Sequence, residues 1–380
     1  MEKFIYTGHR PLNNTMNNKY IIFSPLRSGL ANVIMSYEIA FAMAHITNRT
    51  LILPPTTFLT HITQGDREQW PSIWDLFDKN NNEFDTIELN EYNEFKDLQL
   101  GNHYSWFANT EQVIQDYYTP AQIPNNYPLA NANFCVVNDF DKIKDNDDFK
   151  SFVSTREIID LNRSEKYIYI ENSLFQHYWF WVYAGDASQR NLLKNKMNKV
   201  FRYNRRYYDL VKNNVDIGRY NAIHVRRGDF FIQYGHVLET INTEDKLLSQ
   251  VEKLLDPALP LYIATDEPNK EFFNEVAKKY KIFFISDFFK DLSKLDCAIV
   301  EQIICSQAEQ FEGTIPSTYT KRINIMRGLD GKITKDYTGV NKITEYTPEM
   351  NNPLPWVNGN NKLWGWNMSS HSQWMQEDVS

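Results

Sequence analysis

Four short runs carry side chains that can do chemistry. The first is His224-Val225-Arg226-Arg227-Gly228-Asp229, which follows the apolar run Tyr220 to Val225. It therefore leaves a strand at its C-terminal end, where open α/β sheets hold ligands. Adjacent Arg226 and Arg227 offer planar donors of permanent charge to a diphosphate. Gly228 permits close approach or positive φ, and Asp229 can orient an arginine. The plainer alternative is a surface ion cluster. The second run, Ala264-Thr265-Asp266-Glu267, also ends an apolar strand pattern. A carboxylate there suits nucleobase or ribose donors, although Asp266 can equally cap a helix starting near Pro268. Asp266-Glu267 has no further carboxylate at supporting spacing, so no metal site is expected.

The third run is Gly313 to Thr320. Ser317, Thr318 and Tyr319 open a helix whose first backbone N–H groups, with the two hydroxyls, form an anion site. Ordinary capping without a ligand is the alternative. The fourth is Arg27-Ser28-Gly29-Leu30-Ala31-Asn32 ahead of the first helix. It lacks the full G-x-G-x-x-G pattern and fails as a dinucleotide fingerprint. It serves as a shorter loop–helix site for phosphate or sugar, with a plain turn as the rival reading.

These runs need elements to hold them. Tyr20 to Phe23 reads as a buried strand, and from Val33 the apolar spacing is helical, with Asn32 as its cap. Thr50 to Leu53 is a second strand, stopped by Pro54-Pro55. Thr56 to Asn162 shows weak periodicity and reads as insertions. Tyr167 to Ile170 is a strand and Leu192 to Phe201 a helix. Beyond residue 205 the rhythm sharpens: strands at Tyr220–Val225, Leu261–Thr265 and Ile282–Ile285 alternate with helices at Glu244–Leu255, Asn269–Tyr280 and Lys294–Ser306. A last helix runs from Ser317 to Arg327, with Gly328 at its C-cap. Strands alternating with helices at this spacing predict open parallel sheets. The expected domains are 1–205 with insertions, 206–330 for the nucleotide, and a tail at 331–380 that packs back on the body. The tail holds Trp356, Trp364, Trp366 and Trp374.

With 380 residues and 42% hydrophobic content the chain can build two cores. Its net charge of −8 excludes a general nucleic-acid binder, which needs a basic surface. Cys135, Cys297 and Cys305 have neither metal-ligand nor disulfide spacing. The sequence has no signal-peptide core, and Ile34 to Ile46 is too short to span a bilayer. A cytoplasmic protein is expected, or a secretory-lumen one if a targeting segment has been removed.

The four runs, in this order, resemble the GDP-fucose protein O-fucosyltransferases. The likeness covers about residues 20–55 and 218–328. It rests on Ser28 to Asn32, Asn48 to Pro55, His224 to Asp229, Ala264 to Asp266, and Ser317 to Thr320. The resemblance implies a GT-B fold, two Rossmann-like doubly wound domains facing across a cleft. It implies GDP-fucose as donor, inversion at the anomeric carbon, no metal or other cofactor, and a protein or glycan acceptor. By the same resemblance Arg226 contacts the β-phosphate, and Asn32 lies near the reacting centre. His224, Asp266, Ser317 and Thr318 help hold GDP, and Arg227, Tyr319 and the loop Gly29, Leu30 and Ala31, read from the runs themselves, are expected to line the same site. Two departures stand out: Ser28 replaces a common Gly, and Pro25 to Asn32 contains no carboxylate. The chemistry agrees, because charge left on the β-phosphate can be neutralised by Arg226 and a helix N-terminus. A nucleotide-sugar-binding protein with a dead site is the reading from a different class.

Overall fold

The computed structural model describes residues 19–23, 28–46, 48–53, 57, 59–63, 70–78, 86–88, 134–137, 167–170, 196–197, 199–228, 243–314 and 317–329. Arg27, Asp229 and the Trp-rich tail lie outside them. The chain divides into two compact units, the changeover falling between Arg202 and Tyr203.

The first unit holds a parallel five-stranded sheet of β1 (Tyr20–Phe23), β2 (Thr50–Leu53), β3 (Thr86–Glu88), β4 (Phe134–Val137) and β5 (Tyr167–Ile170), in the order β3-β2-β1-β5-β4. β3 and β4 come from the stretch read as insertions, so that stretch supplies sheet strands. The helix α1 (Leu30–Ile46) follows β1. It starts earlier than expected, because Gly29 O takes the first helical bond from Val33 N at 3.2 Å. Asn32 is therefore inside the first turn and is not the cap. Helix α1 is buried nearly all round, including Val33, Ile34, Tyr37 and Phe41, as a helix covered on both sides must be. Phe23 meets Tyr37 edge-on at 4.9 Å, and Phe41 stacks on Trp74 at 5.2 Å.

The second unit opens with α2 (Arg205–Asn214), capped by the Asn204 side chain. Its parallel sheet comprises β6 (Asn221–Val225), β7 (Leu261–Thr265), β8 (Ile282–Phe283) and β9 (Phe311–Gly313), in the order β8-β7-β6-β9. The helices α3 (Glu244–Leu254), α4 (Asn274–Ala277), α5 (Lys294–Gln307) and α6 (Thr318–Leu329) accompany it. The helix expected over Asn269–Tyr280 is a 3-10 turn, Lys270–Phe273, followed by the short α4. Gly328 lies inside α6 rather than beyond its end.

Strand side chains alternate between two faces. Ile223, Val225, Leu261 and Ile263 join Leu247, Val251, Phe273 and Val276 in one core. His224 and Tyr262 point the other way, toward α6 and α5, where they bond Thr320 and Glu301. The strand order reverses at β6: the chain first steps outward to β7 and β8, then returns to β9 on the opposite side. Ligands bind outside the carboxyl ends of the strands at such a reversal.

Candidate donor-nucleotide site

The parallel register sets the site. His224 pairs with Ala264 and Val225 with Thr265, so the next residues, Arg226 and Asp266, emerge side by side. On the opposite edge His224 pairs with Gly313, which brings Thr314 next to the same strand end.

Two threonine hydroxyls pin the backbone that leaves β6. Thr265 Oγ1 donates to Val225 O at 2.7 Å and accepts from Glu267 N at 3.0 Å. Thr314 Oγ1 donates to His224 O at 3.0 Å and accepts from Arg226 N at 3.0 Å. Arg227 N donates to Asp266 Oδ1 at 2.8 Å. Arg226 Nη1 meets Asp266 Oδ2 at 2.7 Å, with the two side chains 22% and 24% exposed. A guanidinium so held keeps a fixed direction and remains reachable. Gly228 is required here, because a Cβ would run into the Asp266 carboxylate.

The two arginines part company. Arg227 Nε pairs with Glu267 Oε2 at 2.8 Å, and its guanidinium lies 3.7 Å from the Phe272 ring centroid. Stacking plus a charged partner fixes that side chain against the protein. Burial alone would raise Glu267. The Arg227 bond, the Asn269 N–H and the charges of Arg227 and Lys270 outweigh it and hold the carboxyl below its ordinary value. Asp266 does not cap the following turn; Asn269 does, accepting from Glu271 N at 3.1 Å. Both strand-end carboxylates thus serve arginines.

His224 is buried, and desolvation, then the charge of Arg226, push its pKa down to about 3. It is neutral at physiological pH. Its tautomer follows from the hydroxyl beside it: Thr320 Oγ1 donates to Thr314 O at 3.2 Å, so it must accept from His224 Nδ1–H at 2.7 Å. Nε2 is then the unprotonated acceptor. The Tyr319 ring lies 4.7 Å away, anchored by its hydroxyl donating to Ala298 O at 2.6 Å. Gly313 leaves room for this node, since a Cβ there would lie 2.6 Å from Thr320 Oγ1. Ser317 is buried and Thr318 begins α6, so the first N–H groups of that helix sit next to the strand reversal.

In the first unit, Asn32 Nδ2 donates to Ser28 Oγ at 2.6 Å, while its buried Oδ1 has no hydrogen-bond partner among the described residues. Ser28 O accepts from Thr60 N at 2.9 Å, which ties Ser28 down. Gly29 is half-buried and Leu30 and Ala31 are buried at the start of α1.

The site brings together His224, Arg226, Arg227, Asp266 and the start of α6. Sequence reasoning gave no role to Thr265, Thr314 or Phe272. The two threonines were detectable as hydroxyls at the ends of neighbouring apolar runs; Phe272 left no signal, because only the fold lays it under Arg227.

Residues 20–330 match the family described as GDP-fucose protein O-fucosyltransferase. The chain belongs to this family. It is 34% identical over 123 residues to GDP-fucose protein O-fucosyltransferase 2 of Caenorhabditis elegans, a stretch that is 30% of this chain and 27% of that protein. Among solved structures, POFUT1 in complex with GDP-fucose aligns with 83% of this chain and 95% of its own, at 11% identity and a TM-score of 0.46. The fucosyltransferase NodZ from Bradyrhizobium aligns with 80% of this chain and 93% of its own, at 12% identity and a TM-score of 0.41. Among the described residues no helix is long and apolar enough to cross a membrane.

Proposed function

We propose that this protein transfers fucose from GDP-fucose to an acceptor hydroxyl, with inversion at the anomeric carbon and without a metal. The observation that carries this reading is Arg226, held by Asp266 at the strand reversal of a parallel sheet in an O-fucosyltransferase family chain. As the bond between the sugar C1 and the β-phosphate oxygen breaks, its electron pair stays on that oxygen. Arg226 donates to the growing charge, and the N–H groups opening α6 add to it. The positive charge is dependable because an arginine does not lose its proton in a protein. The acceptor hydroxyl attacks the opposite face of C1, which inverts the centre, and gives its proton to solvent or a base as the new bond forms.

Neutral His224 offers Nε2 as an acceptor for a nucleotide N–H or O–H. Asn32 offers an unfilled amide oxygen to a hydroxyl. Metal independence is favoured by the partners of Asp266 and Glu267, which accept from Arg226, Arg227 and Asn269. The expected acceptor is a protein hydroxyl, a glycan hydroxyl being the variant of the same chemistry.

The test is turnover with a panel of GDP- and UDP-sugars, with and without peptide and glycan acceptors, before and after metal stripping in EDTA. GDP-fucose should be the donor used, the fucoside should be α-linked because inversion of the β-linked donor gives the α product, and turnover should survive chelation. Loss of activity restored by Mn²⁺ or Mg²⁺ would overturn the metal-free mechanism. Turnover of a UDP-sugar instead would overturn the donor assignment.

A further inference from the structure

The ladder between β6 and β9 ends on a side chain rather than on a carbonyl. A strand inside a parallel sheet sends its N–H groups alternately to its two neighbours. On the β9 side Ala222 N donates to Gln310 O at 2.9 Å, and His224 pairs with Gly313. Carried past the strand ends, the same register sends Arg226 N to Thr314 O. That carbonyl has instead turned to the start of α6, where it accepts from Ser317 N at 3.1 Å and Thr320 Oγ1 at 3.2 Å. Arg226 N takes the Thr314 hydroxyl in its place, at 3.0 Å. The hydroxyl gives its own proton to His224 O at 3.0 Å, and Thr314 N donates to the same oxygen at 2.9 Å.

One residue therefore serves two elements. Its side chain completes the sheet and frees its carbonyl for the helix. Thr314 is fully buried, so its bonds gain from the low local dielectric. A β-branched side chain is stiff at χ1, which keeps the hydroxyl in one direction. Gly313, having no Cβ, admits Thr320 to the carbonyl. Arg226 is thus held at both ends, its backbone N by Thr314 and its Nη1 by Asp266 at 2.7 Å.

We propose that Thr314 is a positioning residue for the transfer reaction. Its hydroxyl sets the backbone from which Arg226 reaches the departing phosphate, while its carbonyl anchors the start of α6. The two sources of positive potential then share one frame and need no rearrangement as charge develops. This rests on the GDP-fucose reading above. Thr314 touches neither donor nor acceptor; it acts through Arg226.

The test is a double-mutant cycle on the full chain. GDP release from GDP-fucose is measured with the peptide and glycan panel, and GDP affinity by calorimetry. Thr314→Val keeps the shape and loses the hydroxyl, so kcat should fall about tenfold, with KM and GDP affinity within about twofold of wild type. Thr314→Ser keeps the hydroxyl and should restore kcat to within about twofold of wild type. In an Arg226→Ala background Thr314→Val should change turnover by less than about twofold, because the group it positions has gone. If Thr314→Val keeps wild-type kcat while Arg226→Ala is crippled, the positioning role is overturned and the GDP-fucose reading stands. A tenfold fall that persists without Arg226, or a raised KM with kcat preserved, also overturns it, since Thr314 would then act independently or on binding. Wild type that releases no GDP from GDP-fucose overturns both readings. Should Thr314→Val lose its circular dichroism, Thr314→Ala enters the same cycle, with the same expected and overturning results.

Discussion

The turn that follows β1 and the turn that follows β6 occupy equivalent places, each at the C-terminal end of the strand where its sheet reverses order. They are built in opposite ways. After β6 the polar groups complete one another: two threonine hydroxyls hold the backbone, Asp266 holds Arg226, and Glu267 with Phe272 holds Arg227. After β1 the sequence carries no acid up to Asn32, and Asn32 keeps a buried oxygen with no partner among the described residues. The difference follows from charge. On the proposed mechanism, a guanidinium that stands ready for a departing phosphate has to be oriented before the substrate arrives, because reorganisation during the reaction would cost what the interaction gains. A neutral amide needs no counter-charge, so it can wait with one oxygen empty at a cost of about 1–3 kcal/mol.

Removing Arg226 should break the contrast most severely. If Arg226 is the donor that strengthens as the sugar leaves, Arg226→Ala should lower turnover on the order of 100-fold or more, while GDP affinity weakens much less. Arg226→Lys should fail as well, because a point charge on a flexible stem does not reproduce the planar fork. Transfer rate and GDP affinity measured side by side, with circular dichroism for the fold, give the answer. Turnover above about a tenth of wild type for Arg226→Ala would remove Arg226 from the mechanism.

Asp266→Asn asks whether the orientation matters apart from the charge. Asparagine keeps an acceptor for Arg227 N but loses the ion pair with Arg226. A misdirected guanidinium should lower kcat by about tenfold with KM nearly constant. The opposite split, with KM raised and kcat preserved, would mean that Asp266 acts on the nucleotide directly.

Parts of this arrangement were visible in the residue order. Apolar runs ending in Arg226 and Asp266 announce parallel strand ends, because fully buried strands read as short unbroken apolar stretches. Parallel pairing of neighbours then makes the two ends adjacent. β9 was not visible: Phe311-Glu312-Gly313 is three residues long and becomes a strand only by pairing with Ala222 to His224. β3 and β4 were hidden for a related reason. They lie in an Asn- and aromatic-rich stretch where local preference is weak, and the sheet itself selects them. That Arg227 turns inward while Arg226 stays reachable could not be read at all. Adjacent residues leaving a strand point apart, and which one meets Phe272 depends on the 3-10 turn after β7.

Asn32→Ala sharpens the comparison from the other side. The substitution deletes an unsatisfied oxygen and the bond to Ser28 together, so stability should stay within about 1 kcal/mol of wild type. If the oxygen accepts from a substrate hydroxyl, turnover should drop about fivefold, the value of one neutral hydrogen bond. Unchanged turnover with raised stability would make Asn32 a structural residue with no partner in the reaction.

The smallest effect on turnover is expected at His224, and its signature is a pH dependence of stability. The folded pKa lies near 3, against 6.5 for a free imidazole. Above pH 6.5 the side chain is neutral in both states and contributes no slope. Below it the unfolded chain takes up a proton that the folded site refuses, so stability falls as pH drops toward 3, by at most about 1.4 kcal/mol per unit. Glu301 has the opposite sign, its folded pKa being raised to about 8, so that it lowers stability as pH rises above its unfolded value. Comparing wild type with His224→Asn cancels Glu301, which both proteins share. The asparagine amide can donate to Thr320 and does not titrate. Denaturant unfolding should therefore show wild type losing ground to the variant steadily between pH 6.5 and pH 4, with their difference constant from pH 6.5 to pH 8. Turnover of wild type over that upper range should carry no step from this histidine. A difference that stays constant down to pH 4 would mean that His224 accepts a proton in the folded state. The neutral Nε2 acceptor, and with it the contrast between a charged Arg226 and an uncharged neighbour two residues away, would then be lost.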